Sequence, residues 1–199
     1  MNTIWDNLEQ SMKIIYLHPF LGKGLDNNSR LLMQEFGEEN VIAPDLPIDP
    51  SVVEPMLDSI ISKVGAANTI LVGASLGGFW AHYLAHKHNI RCVIVNASVS
   101  PSLTTDDIVT GDAEIDAQIS SLVSFSSEFK NREVFIQNNY NEKLLYMFFA
   151  KNDKINGFAH SITVLPKSAL CTITESGGHT FKGNWQMVVD VVRSLFRSD

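Results

Sequence analysis

The chain has 199 residues, 45% of them hydrophobic and 19% charged, with a formal net charge of -7. That length and apolar content suit a single domain with its own core, and they exclude a disordered, collagen-like or disulfide-dependent chain. The excess of 22 acidic over 15 basic side chains argues against nucleic acid as a partner. Cys92 and Cys171 each lie inside an apolar run and read as buried thiols in a reducing compartment. No apolar stretch approaches the ~18–20 residues of a membrane span. The lead-in Met1–Met12 carries Asp6 and Glu9 without a basic start, so it does not read as a signal peptide. These features point to a soluble cytoplasmic protein.

In chain order, Lys13–Leu17 is a short apolar run rich in branched and aromatic residues that stops at His18-Pro19, which predicts a buried strand. A helix follows over Ser29–Phe36, with Asp26, Asn27 and Asn28 as possible caps. Asn40–Ala43 reads as a strand stopped by Pro44-Asp45-Leu46-Pro47. Pro55–Val64 has Met56, Leu57, Ile60, Ile61 and Val64 at the spacing of a one-sided helix. Thr69–Val72 is a strand and Phe79–His88 a helix behind a glycine pair. Arg91–Val95 and Leu144–Ala150 read as strands, Asn156–Val164 as a helix, Ala169–Thr174 as a strand and Trp185–Phe196 as a helix with one apolar stripe. Six strands, apolar throughout and mostly separated by helices, predict an α/β fold: one mostly parallel sheet flanked by helices on both faces. The domain spans residues 13–199. Its one break in rhythm is an insertion, Ser102–Lys143, too long for a structureless loop. Ile115, Ile119, Leu122 and Val123 mark a helix within it, Asn138-Asn139-Tyr140-Asn141 reads as a turn, and the insertion is a candidate cap over a site.

The sharpest motif is G-x-S-x-G, formed by Gly73, Ser75 and Gly77 between a predicted strand and a predicted helix. A serine on so sharp a turn leaves no room for side chains two positions before and after it, and glycine at both admits the turn. A serine needs a base, and the base needs an orienting acid. On this architecture the order is serine, acid, histidine. Asp153 follows Leu144–Ala150, and His179 follows Ala169–Thr174 in Ser176-Gly177-Gly178-His179. Both fall just past strand ends, where such sheets assemble their sites. Ser75, Asp153 and His179 are therefore the candidate triad. Oxyanion donors are expected from the N–H groups of Leu76, which follows the serine, and of Phe20, since Pro19 has none. His18 reads as structuring its loop through ring hydrogen bonds rather than as a second base.

Several other features carry less. His82 and His86 have the spacing of a zinc pair, but no glutamate lies between them, so with His88 they read as a solvent-facing helix edge and no metal is expected. Asp106, Asp107, Asp112, Glu114 and Asp116 lack calcium-loop spacing and read as a solvated face. Trp80 reads as core, or else as a wall of an acyl pocket.

Tyr16-Leu17-His18-Pro19-Phe20, Gly73–Gly78 with Phe79, Asn96-Ala97-Ser98-Val99-Ser100-Pro101 and Gly177-Gly178-His179-Thr180-Phe181 together resemble an α/β-hydrolase. More narrowly, the chain resembles the small YqiA/YcfP-like bacterial esterases from about Lys13 to Phe196. The resemblance implies Ser75 as nucleophile, Asp153 as acid and His179 as base. Two positions depart from that family: Pro19 stands where it has glycine after the histidine, and Ser100 where it has arginine. If that arginine meets an anionic group, the substrate here differs.

The expectation is a serine hydrolase acting on an ester or thioester of a small acyl group, with no cofactor. The alternatives are a ligand-binding protein on the same fold, separable by ligand-induced stabilisation without turnover, and an acyltransferase using the same serine, separable by product analysis with an added acceptor.

Overall fold

The fold comes from a computed structural model that describes residues 11–103, 110–156, 158–165 and 170–197. Asp106, Asp107 and most of the lead-in Met1–Met12 lie outside these residues. The strands are β1 (Lys13–Leu17), β2 (Val41–Ile42), β3 (Thr69–Ala74), β4 (Cys92–Val95), β5 (Leu145–Ala150) and β6 (Leu170–Thr174). They form one six-stranded sheet in the order β2-β1-β3-β4-β5-β6. Among the described residues every pairing is parallel, in keeping with the mostly parallel sheet expected. The registers Leu17↔Gly73, Ala74↔Val95, Val95↔Phe148 and Ala150↔Thr174 bring the carboxyl ends of five strands to one edge.

Alternate residues of each strand face opposite sides, which divides the core in two. Ile15, Leu17, Leu71, Ile94, Met147 and Phe149 pack against α2 (Pro50–Val64), α3 (Leu76–His88) and α5 (Ser126–Asn138). Ile14, Tyr16, Val72, Val93 and Phe148 pack under α7 (Trp185–Phe196), with α1 (Asn27–Phe36) on the same side. In α7 the residues Trp185, Val188, Val189, Val192 and Leu195 are all buried. Burying each such side chain contributes about 1.5–3 kcal/mol, so this one stripe holds the second face closed.

Three expectations need correction. First, α2 begins at Pro50, five residues before the Pro55 read as its start: Asp49 accepts from the Ser51 N–H and Pro50 occupies the first turn. Pro55 is inside the helix, where its missing N–H leaves a gap near exposed residues that water can reach. Second, Cys171 is exposed because β6 is an edge strand, whereas Cys92 on interior β4 is buried. Third, His82 is buried at 5% exposure instead of lying on a solvent-facing edge, because the insertion folds over that side of α3.

Among its described residues the insertion holds two α-helices, α4 (Ala113–Ser124), capped by Asp112 through the Glu114 and Ile115 N–H groups, and α5. Through Phe129 and Ile136, α5 joins the first core beside Phe79 and Trp80. The remaining helix, α6 (Phe158–Val164), follows β5. No described helix is long and apolar enough to cross a membrane.

Candidate active site

Ser75 sits between the end of β3 and the start of α3 at φ 52°, ψ -121°, a left-handed conformation uncommon for a residue with a side chain. The turn is held by backbone bonds. The Ser75 N–H donates to the Val95 carbonyl at 3.0 Å, and the Ser75 carbonyl accepts from Phe79 at 3.2 Å and Ser98 at 3.0 Å. The flanking glycines are sterically required. A Cβ on Gly73 would lie 2.2 Å from the Gly77 carbonyl oxygen, and one on Gly77 would lie 2.1 Å from that of Leu17. The hydroxyl that this turn presents is 3.0 Å from His179 Nε2.

His179 stands on the loop after β6, and its Nδ1 is 3.1 Å from both carboxylate oxygens of Asp153 on the loop after β5. A carboxylate only accepts, so Nδ1–H donates to Asp153, leaving Nε2 to accept from the serine hydroxyl. Asp153 is 6% exposed. Burial alone would raise its pKa. The His179 hydrogen bond, the Ile155 and Asn156 N–H groups and the His179 charge outweigh that, and they hold the carboxyl below its usual range. The same Asp153 oxygen that accepts from Ile155 also meets His179, so a turn residue and an ion-pair partner are one side chain.

His18 stands apart from this hydrogen-bonded chain. The Leu46 N–H donates to His18 Nε2 at 2.8 Å, which makes Nε2 an acceptor and puts the proton on Nδ1, 2.7 Å from the Pro19 carbonyl. His18 thus ties the loop after β1 to the loop after β2. Pro19 closes a tight turn, its carbonyl accepting from Gly22 at 2.9 Å with Leu21 at φ 62°. Phe20, Leu76, His18, Ile48, Trp80 and Gln118 of α4 line a cavity of about 70 Å³ beside the serine turn. Leu76 opens α3, where the first N–H groups have no acceptor within the helix. Ser100 lies 3.3 Å from His160 of α6.

Asn96 was not singled out from the sequence as a site residue. At φ 42° just beyond β4, it donates to the carbonyls of Gly178 and His179 and accepts from the Ala150 N–H, while its own carbonyl accepts from Asn156. It therefore fastens the histidine loop to the end of β5. The available signal was a lone amide directly after a four-residue apolar strand. Among the described residues no group of three or more His, Cys, Asp or Glu is arranged to hold a metal.

Residues 13–193 match the family described as "Uncharacterised protein family (UPF0227)". A UPF0227 protein of Serratia proteamaculans (strain 568) is 32% identical over 98 residues, 44% of this chain and 52% of that protein. The chain thus matches about half the length of that relative. The UPF0227 protein PC1_2487 of Pectobacterium carotovorum is 26% identical over 141 residues, 66% of this chain and 76% of that one. Among solved structures, MGS-MChE2, an alpha/beta hydrolase enzyme from a lagoon-sediment metagenome, superposes with a TM-score of 0.68 at 20% identity, covering 94% of this chain and 91% of that one. The monoacylglycerol lipase of Paleococcus ferrophilus superposes with a TM-score of 0.64 at 16% identity, covering 94% and 96%. At these identities the likeness is one of fold.

Proposed function

We propose that this chain, which belongs to the UPF0227 family and has the α/β-hydrolase fold, is a serine hydrolase that cleaves an ester or thioester of a small acyl group. The observation that carries this reading is the hydrogen-bonded chain from Ser75 through His179 to Asp153, built on a serine turn that two glycines alone permit. Fold by itself would not, because unrelated activities share it.

In this reading His179 Nε2 takes the hydroxyl proton as Ser75 Oγ attacks the acyl carbonyl, and Asp153 stabilises the imidazolium that forms. The Leu76 and Phe20 N–H groups hold the oxyanion. His179 then returns the proton to the departing alcohol or thiol, leaving an acyl-serine. Water, deprotonated by His179, attacks that ester, the Ser75 oxygen leaves with the proton, and the acid departs. The small cavity beside Phe20 and Leu76 is the acyl site, and its roughly 70 Å³ favours short chains. The chain is then one hydrolase domain from Lys13 onward, with α4 of the insertion covering the acyl site through Gln118.

The test is intact mass after incubation with a fluorophosphonate. Wild type is expected to gain one adduct and Ser75→Ala none. His179→Ala is expected to slow labelling about a thousandfold or more, and Asp153→Ala less. Folded wild type that stays unlabelled would overturn the assignment. Untreated wild type is then screened on acetyl to octanoyl esters and thioesters, with a fall in rate expected beyond the shortest chains.

A further inference from the structure

Beyond the serine, α3 carries His82 and His86 one turn apart on a side covered by the insertion. His82 is 5% exposed, and its Nε2 has no hydrogen-bond partner. His86 Nδ1 is 2.8 Å from the His82 carbonyl, which can only accept, so the proton of the neutral ring sits on Nδ1. The Nε2 of His86 is then a bare lone pair, and it too is buried without a partner. Tyr140, just beyond α5, stacks on His86 with ring centroids 5.3 Å apart and meets His82 edge-on at 6.1 Å. Its hydroxyl is a third buried oxygen or nitrogen lacking a partner. Burial, with His86 nearby, pushes His82 down to about 3, and burial lowers His86 as well, so both rings are neutral at ordinary pH. Native interiors leave few such atoms unmatched, and here three adjoin one another.

Next to them is a cavity of about 180 Å³. Val99, Ile136 and Leu165 give it apolar walls, and His82, Tyr140, Glu133 and Gln137 supply its polar groups. The Glu133 carboxylate is already engaged by the Ser102 N–H and hydroxyl and by Lys130. None of Ser75, Leu76, Asp153 or His179 lines this cavity.

We propose that the cavity is a second small-molecule site, separate from the serine, for a single-ring aromatic alcohol. Its size carries the first part of that identification. An apolar cavity of about 150 Å³ accommodates benzene, so this one accommodates a six-membered ring with a substituent. The unmatched atoms carry the second. A hydroxyl both donates and accepts, so it satisfies His82 Nε2 in either tautomer together with the Tyr140 hydroxyl. A carboxylic acid fits poorly, since the cavity has no cation in its lining and holds the Glu133 charge. A metal ion fits poorly too. Two imidazoles and a phenol fall short of a closed four-ligand set, and no third His, Cys, Asp or Glu joins them among the described residues.

The test is a fluorine NMR titration of the full chain with 4-fluorophenol, using fluorobenzene as the probe without a hydroxyl. One 4-fluorophenol per chain is expected, with fluorobenzene weaker by roughly tenfold, the worth of one good hydrogen bond. Tyr140→Phe should weaken 4-fluorophenol by about the same factor and leave fluorobenzene unchanged. Ile136→Trp, which fills the cavity, should abolish both. Because that bulk can unfold the chain, Tyr140→Phe decides the matter. Backbone amide shifts should centre on His82 and on residues Ile136 to Tyr140. No saturable binding, equal affinity for the two probes, or shifts centred on Phe20 and Gln118 would each overturn the proposal.

Discussion

Two residues with side chains, Ser75 and Asn96, hold left-handed backbone at adjacent strand ends, and each does so for a different partner. Ser75 turns there to lift its hydroxyl toward His179. Asn96 turns there to aim its amide at the Gly178 and His179 carbonyls while its oxygen takes the Ala150 N–H. Asparagine tolerates that backbone better than most residues. Asn96→Ala should therefore cost about 2–4 kcal/mol, from three lost hydrogen bonds in a buried setting. In the fraction still folded, it should slow fluorophosphonate labelling by about a hundredfold, because His179 is no longer held in register with Ser75. Asn96→Asp should be as harmful, since it sets a carboxylate oxygen against two carbonyls. Unchanged labelling in both variants would show that the histidine loop holds itself. The candidate triad was legible because strand ends and chain order constrain it, and the glycines at positions 73 and 77 leave a local sterically readable mark. The role of Asn96, which entered only as part of the motif Asn96–Pro101, was not, because its contacts are made about eighty residues away.

Among elements, α5 shows how a charged side chain can hide a core helix. Phe129, Glu133 and Ile136 are its buried positions, so an acidic residue interrupts the apolar stripe and the periodicity fades. Nothing in the local spacing marks Glu133 as facing inward to meet Ser102. In the same way Pro55 read as a helix start because proline favours first turns, when Pro50 already fills that role. What fastens α5 to its neighbours is polar as well as apolar. Glu54 of α2 accepts from Arg132 of α5 and from Lys87 and Tyr83 of α3, and the Arg132 guanidinium lies over the Trp80 ring at 5.4 Å. Burial would raise the Glu54 pKa, but these donors outweigh it and keep the carboxyl below its usual range. Arg132→Ala should cost about 2 kcal/mol in urea unfolding, since it leaves a half-buried carboxylate short of a partner. Glu54→Gln should cost a similar amount, and the double variant clearly less than the sum. Strict additivity would mean that the two side chains do not act as a pair.

At the scale of the molecule, protons couple to folding through side chains held in one charge state. His82 in the folded chain stays neutral down to about pH 3, whereas an unfolded histidine takes up its proton near pH ~6.5. The folded pKa lies below the unfolded one, so its contribution is complete above that unfolded value. It is lost at up to ~1.4 kcal/mol per unit as pH falls through the window between the two. His86, lowered by burial, acts in the same direction. The Asp153 carboxyl, also lowered, adds a loss at more acidic pH, as it protonates. Urea midpoints at about pH 7.5 and about pH 5.5 should show wild type losing stability and His82→Phe losing about 1 kcal/mol less. Equal losses would place the acid sensitivity elsewhere. The parallel sheet and two-sided helical cover were legible at this scale, because apolar strands separated by helices admit little else. The burial of His82 was not, because it depends on an insertion closing over a helix edge whose histidines read as solvent-facing.

The strand order also has a consequence for how the protein is made. β1 to β4 and the serine turn are complete in the chain by Val95, while Asp153 and His179, which complete its hydrogen-bonded chain, arrive later. A nascent chain therefore carries the serine turn without His179 until 84 residues beyond Val95 have been added. Over that interval Ile14, Tyr16, Val72 and Val93 have only α1 on their face of the growing sheet until α7 emerges. The Ser75–His179–Asp153 hydrogen-bonded chain is completed and the second face is sealed within one stretch, Asp153 to Phe196, so a ribosome that stops before it releases a chain with neither.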